Sequence, residues 1–169
     1  MSRSRILHAM SGALRDLLWD GLRHGGPDLL PSRESIVFDS PAQAMGNAEA
    51  RLSLWLCHVS PDSVSSVPRV RDDDPRRAAQ LSLHYLLTPL TASTEHDLLL
   101  LGGVLQAFHD NPVATVRGSD GAQPLRIDLE AAGYPELNRI WRGLRQPLRL
   151  SLAYRVRGVR LEANPGPNR

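Results

Sequence analysis

The sequence predicts an α+β fold in which a mixed or antiparallel sheet packs against about three helices. Apolar residues alternate with polar ones in several short segments, which is typical of half-buried strands. Other segments repeat apolar residues every three or four positions, as amphipathic helices do. The strands follow one another with few helices between them, which favours a mixed or antiparallel sheet. With 169 residues, we expect one domain over residues 1–162 and a frayed tail over 163–169.

The first helix is predicted from Ser4 to His24, with leucines and Met10 on one stripe. Gly25-Gly26-Pro27 ends it, because glycine suits a helix C-cap and proline cannot continue a helix. A short strand is predicted over Ser35–Asp39 and a second one over Leu52–His58, where leucines alternate with other side chains.

The third predicted strand, Leu81–Leu87, ends before Pro89, which has no amide hydrogen to donate. A helix follows, and Thr94 with Asp97 three residues later resembles a capping box. Its predicted buried stripe is Leu98, Leu101, Leu105 and Phe108. Gly102-Gly103 lies inside this helix without the frame of a phosphate-binding loop, so we interpret the pair as close backbone packing.

The last third of the chain predicts an irregular connection over Pro112–Gln123 and a short strand over Leu125–Leu129. Pro135 suits the first turn of a helix that continues to Leu144. A final strand is predicted from Leu148 to Val156, with apolar residues on one face and arginines on the other.

Composition excludes several classes of protein. At 41% hydrophobic and 22% charged residues the chain is ordinary globular material, and no apolar run reaches the roughly 18 residues of a membrane span. All 20 basic residues are arginine, but the net charge is +2, which argues against a nucleic-acid-binding protein. One cysteine, Cys57, excludes a disulfide framework within the chain.

The residues with chemical potential form no catalytic, metal-binding or cofactor-binding motif. His58, His84 and His109 lack metal-ligand spacing. Cys57 and His58 are neighbours on a predicted strand, so we expect them on opposite faces and interpret the cysteine as small apolar filler. We therefore predict a protein that is not an enzyme, with no catalytic, metal or cofactor site.

Three surfaces are candidates for binding partners. The first is the polar segment Pro61–Arg77, a predicted long loop. The residues of this loop that we expect to contact a partner are Arg69, Arg71, Asp73 and Arg76. The second is Trp19, which lies beside the main stripe of the first helix, so that exposure and packing at the stripe's edge are both open. The third is the arginine face of the last strand, with Arg149, Arg155 and Arg157.

These segments, in their order, resemble one family. The strands ARLSLWLCHVSP and LSLHYLLT, the helix LLGGVLQAFHDNP and the final NRIWRGLRQPLRLSLAYRVRGVRLE resemble cap or tail-terminator proteins of contractile injection systems. These systems are phage-tail-like particles related to the antifeeding prophage and the Photorhabdus virulence cassettes. The resemblance covers Ser4 to Glu162.

The resemblance implies a structural role and no catalytic residues. It implies a ring, expected to be a hexamer, on the end of the inner tube and sheath, where it stops their growth and stabilises the extended sheath. The implied partners are the chain itself, the sheath protein and the inner tube protein, without nucleic acid or a membrane span. It implies assembly in the cytoplasm, into a particle that is then kept or released.

The alternatives are a bacteriophage tail terminator or tail-completion protein, a small hydrolase or metal enzyme, and a nucleic-acid-binding protein. Sheath subunits of this class link through exchanged strands, so a terminator could also pair with their free strand edges.

Overall fold

The computed structural model describes residues 5–25, 29–62, 79–118 and 121–161. Within these ranges the sheet has six strands in the spatial order β1-β2-β3-β6-β5-β4. The strands are β1 (Ile36–Val37), β2 (Leu52–Pro61), β3 (Ala79–Pro89), β4 (Val113–Gly118), β5 (Gly121–Leu129) and β6 (Leu152–Leu161). The helices are α1 (Ile6–Leu22), α2 (Pro41–Ala44), α3 (Thr94–Asp110) and α4 (Tyr134–Gly143).

The sheet is mixed, which confirms the predicted α+β class. The short strand β1 runs parallel to β2, and every other neighbouring pair of described strands is antiparallel. The last strand of the chain, β6, lies in the middle of the sheet between β3 and β5. It therefore joins the strands of the first half of the chain to the hairpin β4–β5.

Helices α1 and α3 cover one face of the sheet and form the main core with it. The buried side chains of this helix face include Leu14, Leu18, Val104, Phe108, Leu54, Leu87, Ile127 and Val156. The two helices approach closely, because a Cβ on Gly21 would lie 2.8 Å from the Cβ of Ala107. A Cβ on Gly103 would collide with the Leu22 side chain. Close backbone packing, expected for the glycine pair, therefore explains Gly103.

The opposite face of the sheet, here called the open face, is covered in part by α4. Trp141 of α4 is fully buried, and so is Leu86 of β3, whose neighbours Tyr85 and Leu87 belong to the main core. Ile140 and Leu144 lie near the same strands. Proline and glycine at the start of α4 suit the predicted helix, since Gly133 is its N-cap and Pro135 lies in its first turn.

Two β-bulges change which face side chains occupy. In the β2–β3 ladder Leu56 pairs with Tyr85 and His58 with His84, so Cys57 is the extra residue. In the β3–β6 ladder Leu81 pairs with Val159, and Gly158 has a φ of +92°. Only glycine adopts such a φ readily.

Several predicted boundaries were wrong. The segment expected to be irregular contains β4, which pairs with a β5 that begins before Leu125. The final strand begins at Leu152 rather than Leu148. The capping box at Thr94 is absent: Ser93 is the N-cap of α3, and Asp97 instead accepts hydrogen bonds from the Thr91 amide and hydroxyl. The short α2, with a capping box of Ser40 and Gln43, was not predicted.

Candidate functional site

The open face carries a large concave surface. A cavity of about 1100 Å³ lies between α4 and the strands β2, β3 and β6. Its lining is partly apolar, with Trp55, Leu86, Ile140, Leu144 and Ala153, and partly charged, with Asp128, Glu130, Arg155 and Arg157. The face therefore combines a hydrophobic floor with charged side chains from β5 and β6.

A chain of hydrogen bonds centred on His84 crosses this face. The His84 Nδ1 lies 3.0 Å from the Glu130 carboxylate, to which it donates, and its Nε2 lies 2.9 Å from the Ser60 hydroxyl. Arg155 donates two hydrogen bonds to the same carboxylate, at 2.9 and 2.6 Å. The residues come from β2, β3, β6 and the end of β5, so the bonds tie the middle of the sheet together.

A second ion-pair group lies next to it. Arg157 donates two hydrogen bonds to Asp128, and Arg126 donates one at 2.9 Å. Partial burial raises the pKa of Asp128, but the hydrogen bonds and charges of the two arginines outweigh it, so the pKa lies below its usual range. The pKa of Glu130 is likewise lowered, because the bonds from His84 and Arg155 outweigh its desolvation. Both carboxylates are therefore ionised at neutral pH.

Cys57 and His58 both line this cavity. The expectation that they occupy opposite faces was wrong, because the bulge at Cys57 interrupts the alternation. The His58 ring lies 5.2 Å from the His84 ring. The Cys57 thiol donates to the His84 carbonyl, and burial raises its pKa. A protonated, half-buried thiol is a weak nucleophile.

Ser60, His84 and Glu130 place a hydroxyl, an imidazole and a carboxylate in the order found in the catalytic triads of acyl-transfer enzymes. In those enzymes the free charge of the carboxylate stabilises the imidazolium. Here Arg155 binds the Glu130 carboxylate and shares its charge. The arrangement therefore favours a structural network over a catalytic one.

The arginines predicted on the last strand are held by acidic partners within the chain. Arg155 and Arg157 bind Glu130 and Asp128, as described above. Arg149 precedes β6 and makes a longer contact of 3.4 Å with Asp97 of α3. Of the three, Arg149 has the weakest internal ion pair.

The other predicted surfaces differ in how far the structure describes them. Trp19 is half-buried and packs against the main core. Packing at the edge of the stripe, one of the two open alternatives, therefore describes its position. Arg69, Arg71, Asp73 and Arg76 lie outside the described residues, as does most of the predicted loop.

An exposed apolar surface on α3, which the sequence did not predict, lies on the helix side of the molecule. Leu101 and Phe108 are buried as predicted, but Leu98 and Leu105 are 55% and 40% exposed. Leu98, Gly102 and Leu105 lie on one outward stripe, since their spacings of four and three residues match a helix. A Cβ on Gly102 would meet no described atom within 4 Å, so packing against the described residues does not explain this glycine.

A groove of about 500 Å³ lies beside this stripe. Its lining includes Gly102, Leu105, Phe108, Leu129 and Tyr154, with Gln106, His109 and Asp128 as polar members. Leu129 is also 56% exposed. No pattern in the sequence indicates this groove, because leucines that face a partner follow the same period as leucines that face a core.

The described ranges contain neither a metal-binding cluster nor a membrane-spanning helix. No group of three or more histidine, cysteine, aspartate or glutamate side chains there could hold a metal ion. None of the described helices is long and apolar enough to cross a membrane.

Comparison with known proteins gives three findings. Residues 9–169 match a family model described as the Pvc16 N-terminal domain. The fold is similar to the PVC sheath/tube terminator of an extracellular contractile injection system in its extended state, with 19% identity and a TM-score of 0.57 over 88% of this chain. It is also similar to the anti-feeding prophage cap, a tube terminating cap, with 18% identity and a TM-score of 0.57 over 94% of this chain.

The chain spans 58% of the length of each of these two relatives. At such identities the similarity is one of fold. No curated protein matches.

Proposed function

The chain belongs to the family of the Pvc16 N-terminal domain, which confirms the resemblance seen in the sequence, and from this we propose that it is a structural cap. It binds the end of the tube and sheath of a contractile injection particle, ends their polymerisation and stabilises the extended sheath. The observation that carries the proposal is the family match over residues 9–169. The fold supports it, because both similar solved structures are terminators or caps by their descriptions.

The surfaces of the molecule suit a part that binds on several sides. A cap in a ring needs two different faces for its neighbours and further surface for the tube and sheath. The described residues offer an exposed apolar stripe on α3, a cavity on the open face and a strand, β4, that pairs with β5 along one edge. We propose that the edge of β4 that no described strand covers accepts a strand from a sheath subunit by β-augmentation.

The predicted interface arginines have a defined role in this proposal. Arg155 and Arg157 already bind acidic partners within the chain, so they hold the open face in shape. Arg149 is the one that we propose for direct contact with an acidic partner, because its internal ion pair, at 3.4 Å, is the longest of the three. Trp19 and the segment with Arg69, Arg71, Asp73 and Arg76 remain proposed contact surfaces.

The proposed cap is not an enzyme. Its Cys57 thiol is held protonated by burial, and its Ser60–His84–Glu130 chain is neutralised by Arg155. The phage tail terminator is the nearest alternative, but one of the two similar structures is, by its description, from an extracellular contractile injection system. The proposed place of the chain is the cytoplasm during assembly and the particle afterwards.

Deletion of the gene tests the proposed function. We expect few intact particles, or tubes and sheaths of uncontrolled length, when the particles are imaged by electron microscopy. Expression of the chain from a plasmid should restore particles of uniform length. Normal particles of uniform length in the deletion strain would disprove a role as cap.

A further inference from the structure

The end of helix α4 departs from the rules of helix stability at two positions. Arg145 has a φ of +55°, and among the described residues it is the one non-glycine residue with a positive φ. Gly143, two positions earlier, is the last residue of the helix. A glycine is therefore missing where the backbone favours it and present where a helix disfavours it.

The conformation of Arg145 follows from the way in which the helix ends. The Arg145 amide donates to the Arg142 carbonyl at 3.0 Å, and the Gln146 amide donates to the Trp141 carbonyl at 3.2 Å. These two bonds form a Schellman motif, in which the left-handed residue is usually glycine. Any side chain at this position costs stability, because its Cβ lies too close to the following carbonyl oxygen.

Packing against the described residues does not explain Gly143. A Cβ there would meet no described atom within 4 Å, and the residue is exposed. It lines the cavity on the open face, so the missing side chain leaves the helix backbone accessible to a partner. Two such losses of stability within three residues are expected at a functional surface, where contact with a partner matters more than the stability of the helix.

Three exposed arginines surround this glycine: Arg139, Arg142 and Arg145. They lie within about 9 Å along the helix axis. No described carboxylate is within ion-pair distance of their guanidinium groups, and this includes Glu136, which precedes Arg139 by three residues. Cations near a helix C-terminus also offset the helix dipole, but that role requires neither a positive φ nor an open glycine. The helix end is therefore a surface with an excess of positive charge.

We propose that the surface formed by Arg139, Arg142, Gly143 and Arg145 binds an acidic segment of another protein of the particle. The guanidinium groups hold its carboxylates by charge-assisted hydrogen bonds, and its backbone passes over Gly143. This inference rests on the proposed function, because a cap must contact proteins other than its own copies. It adds the chemistry of one partner to that function.

A second copy of the chain suits this surface less well than a different protein. The one run of adjacent acids in the sequence is Asp72-Asp73-Asp74. Residues 69–77 contain four arginines and these three aspartates, so the segment has a net charge of +1. Asp128 and Glu130 are already bound by arginines of their own copy. A nucleic acid is disfavoured as well, because the net charge of the whole chain is only +2.

Carbodiimide crosslinking identifies the partner directly. The chain contains no lysine, so Arg145→Lys introduces its only side-chain amine. Particles purified from a deletion strain that expresses this variant would be treated with a water-soluble carbodiimide, which joins an amine to a carboxylate in contact with it. We expect mass spectrometry to find a crosslink from position 145 to an aspartate or glutamate of another particle protein. Arg160→Lys, at an exposed position of β6 outside this surface, should give at least tenfold less of this product.

Three results of this experiment would overturn the inference. The first is the absence of any crosslink from position 145 in particles that contain the variant. The second is a crosslink only to another copy of the chain, for example to Asp72-Asp73-Asp74, which would make the surface a contact between copies. The third is binding of a short DNA duplex by the unmodified chain that Arg145→Gly abolishes, which would assign the arginines to phosphates.

The two unusual positions supply variants that separate binding from stability. Arg145→Gly should raise the melting temperature of the isolated protein by about 2–4 °C, because glycine suits the positive φ. The same variant should lower the number of uniform particles in the deletion strain at least tenfold. Gly143→Leu should also fail to restore the strain without lowering the melting temperature. Gly12→Leu, at a glycine of α1 where a Cβ likewise meets no described atom, should restore it.

The outcomes distinguish this inference from the proposed function. A lower melting temperature for Arg145→Gly would show that the arginine stabilises the helix end, and this would overturn the inference. Uniform particles with Arg145→Gly and with Gly143→Leu would also overturn it and leave the cap function intact. The absence of the unmodified chain from purified particles would instead disprove the cap function itself.

Discussion

The two faces of the sheet are built on different physical principles. The helix face is closed by α1 and α3 and is almost entirely apolar, with side chains such as Leu54 and Val156 fully buried. The open face is covered in part by α4 and is held by ion pairs and by the His84 hydrogen-bond chain. One strand supplies both: in β3, Leu87 belongs to the main core and Leu86 to the open face.

This difference indicates that the two faces have different structural roles. Apolar burial is non-directional, so the helix face supplies stability and tolerates some repacking. Hydrogen bonds and ion pairs are directional, so the open face fixes the positions of β2, β3, β5 and β6 relative to one another. A cap that presents several surfaces needs both properties.

The largest expected effect comes from replacing one buried leucine on each face of the sheet and comparing the two losses of stability. Leu87→Ala should lower the free energy of unfolding by about 4 kcal/mol, because it leaves a void in a closed core. Leu86→Ala should cost about 2 kcal/mol, because its site adjoins a large open cavity into which water and neighbouring side chains can move. Urea unfolding followed by circular dichroism measures both values. Equal losses would show that α4 closes the open face as tightly as α1 and α3 close the other.

A pH experiment examines the ion pairs of the open face. The pKa of Glu130 is lowered by its bonds to His84 and Arg155, so the folded state binds its proton less tightly than the unfolded state does. Its contribution is therefore complete above the pKa of the unfolded chain and is lost as the pH falls through the lower pKa of the folded state. Glu130→Gln should cost about 1 kcal/mol at pH 7, and this difference should disappear as the pH falls below about 4.

Glu49→Gln is the control for that experiment, because Glu49 is exposed and lies outside the described helices and strands. It should change the unfolding free energy little at either pH. If Glu130→Gln costs the same at pH 7 and at low pH, the charge of Glu130 does not stabilise the open face.

Much of the fold could be predicted from the sequence, because buried apolar residues recur with the period of the strand or helix to which they belong. The stripe of α1 and the alternation in β2 and β3 each place many large apolar residues on one side, so their existence and type were predicted correctly. Strand β4 was missed because its buried residues, Ala114 and Val116, are few and small. The boundaries of β6 were wrong because Leu148 and Leu150 alternate like a strand before the pairing begins at Leu152.

The candidate site was predicted less well, and the reasons are physical. The bulge at Cys57 has no residue signature, yet it places Cys57 and His58 beside the same cavity. The pairs of Glu130 with Arg155 and of Asp128 with Arg157 depend on strand register, which residues distant in sequence set together. Leu98 and Leu105 show the limit of periodicity, because an exposed apolar stripe and a buried one have the same spacing.

An effect as small as that of Glu130→Gln is expected for a polar pair inside the apolar face. The Tyr85 hydroxyl lies 2.9 Å from that of Ser11, and burial raises the pKa of Tyr85 to about 12. Tyr85→Phe and Ser11→Ala should each lower the unfolding free energy by about 1 kcal/mol, because each leaves the other hydroxyl buried without this partner.

The double variant should cost less than the sum of the two, since removing both hydroxyls leaves an apolar contact. A coupling near zero would mean that both hydroxyls find other partners. A loss of more than about 3 kcal/mol from either single variant would show that this one bond, rather than the surrounding apolar burial, sets how α1 packs on β3. The division between a face held by burial and a face held by directional bonds would then no longer hold.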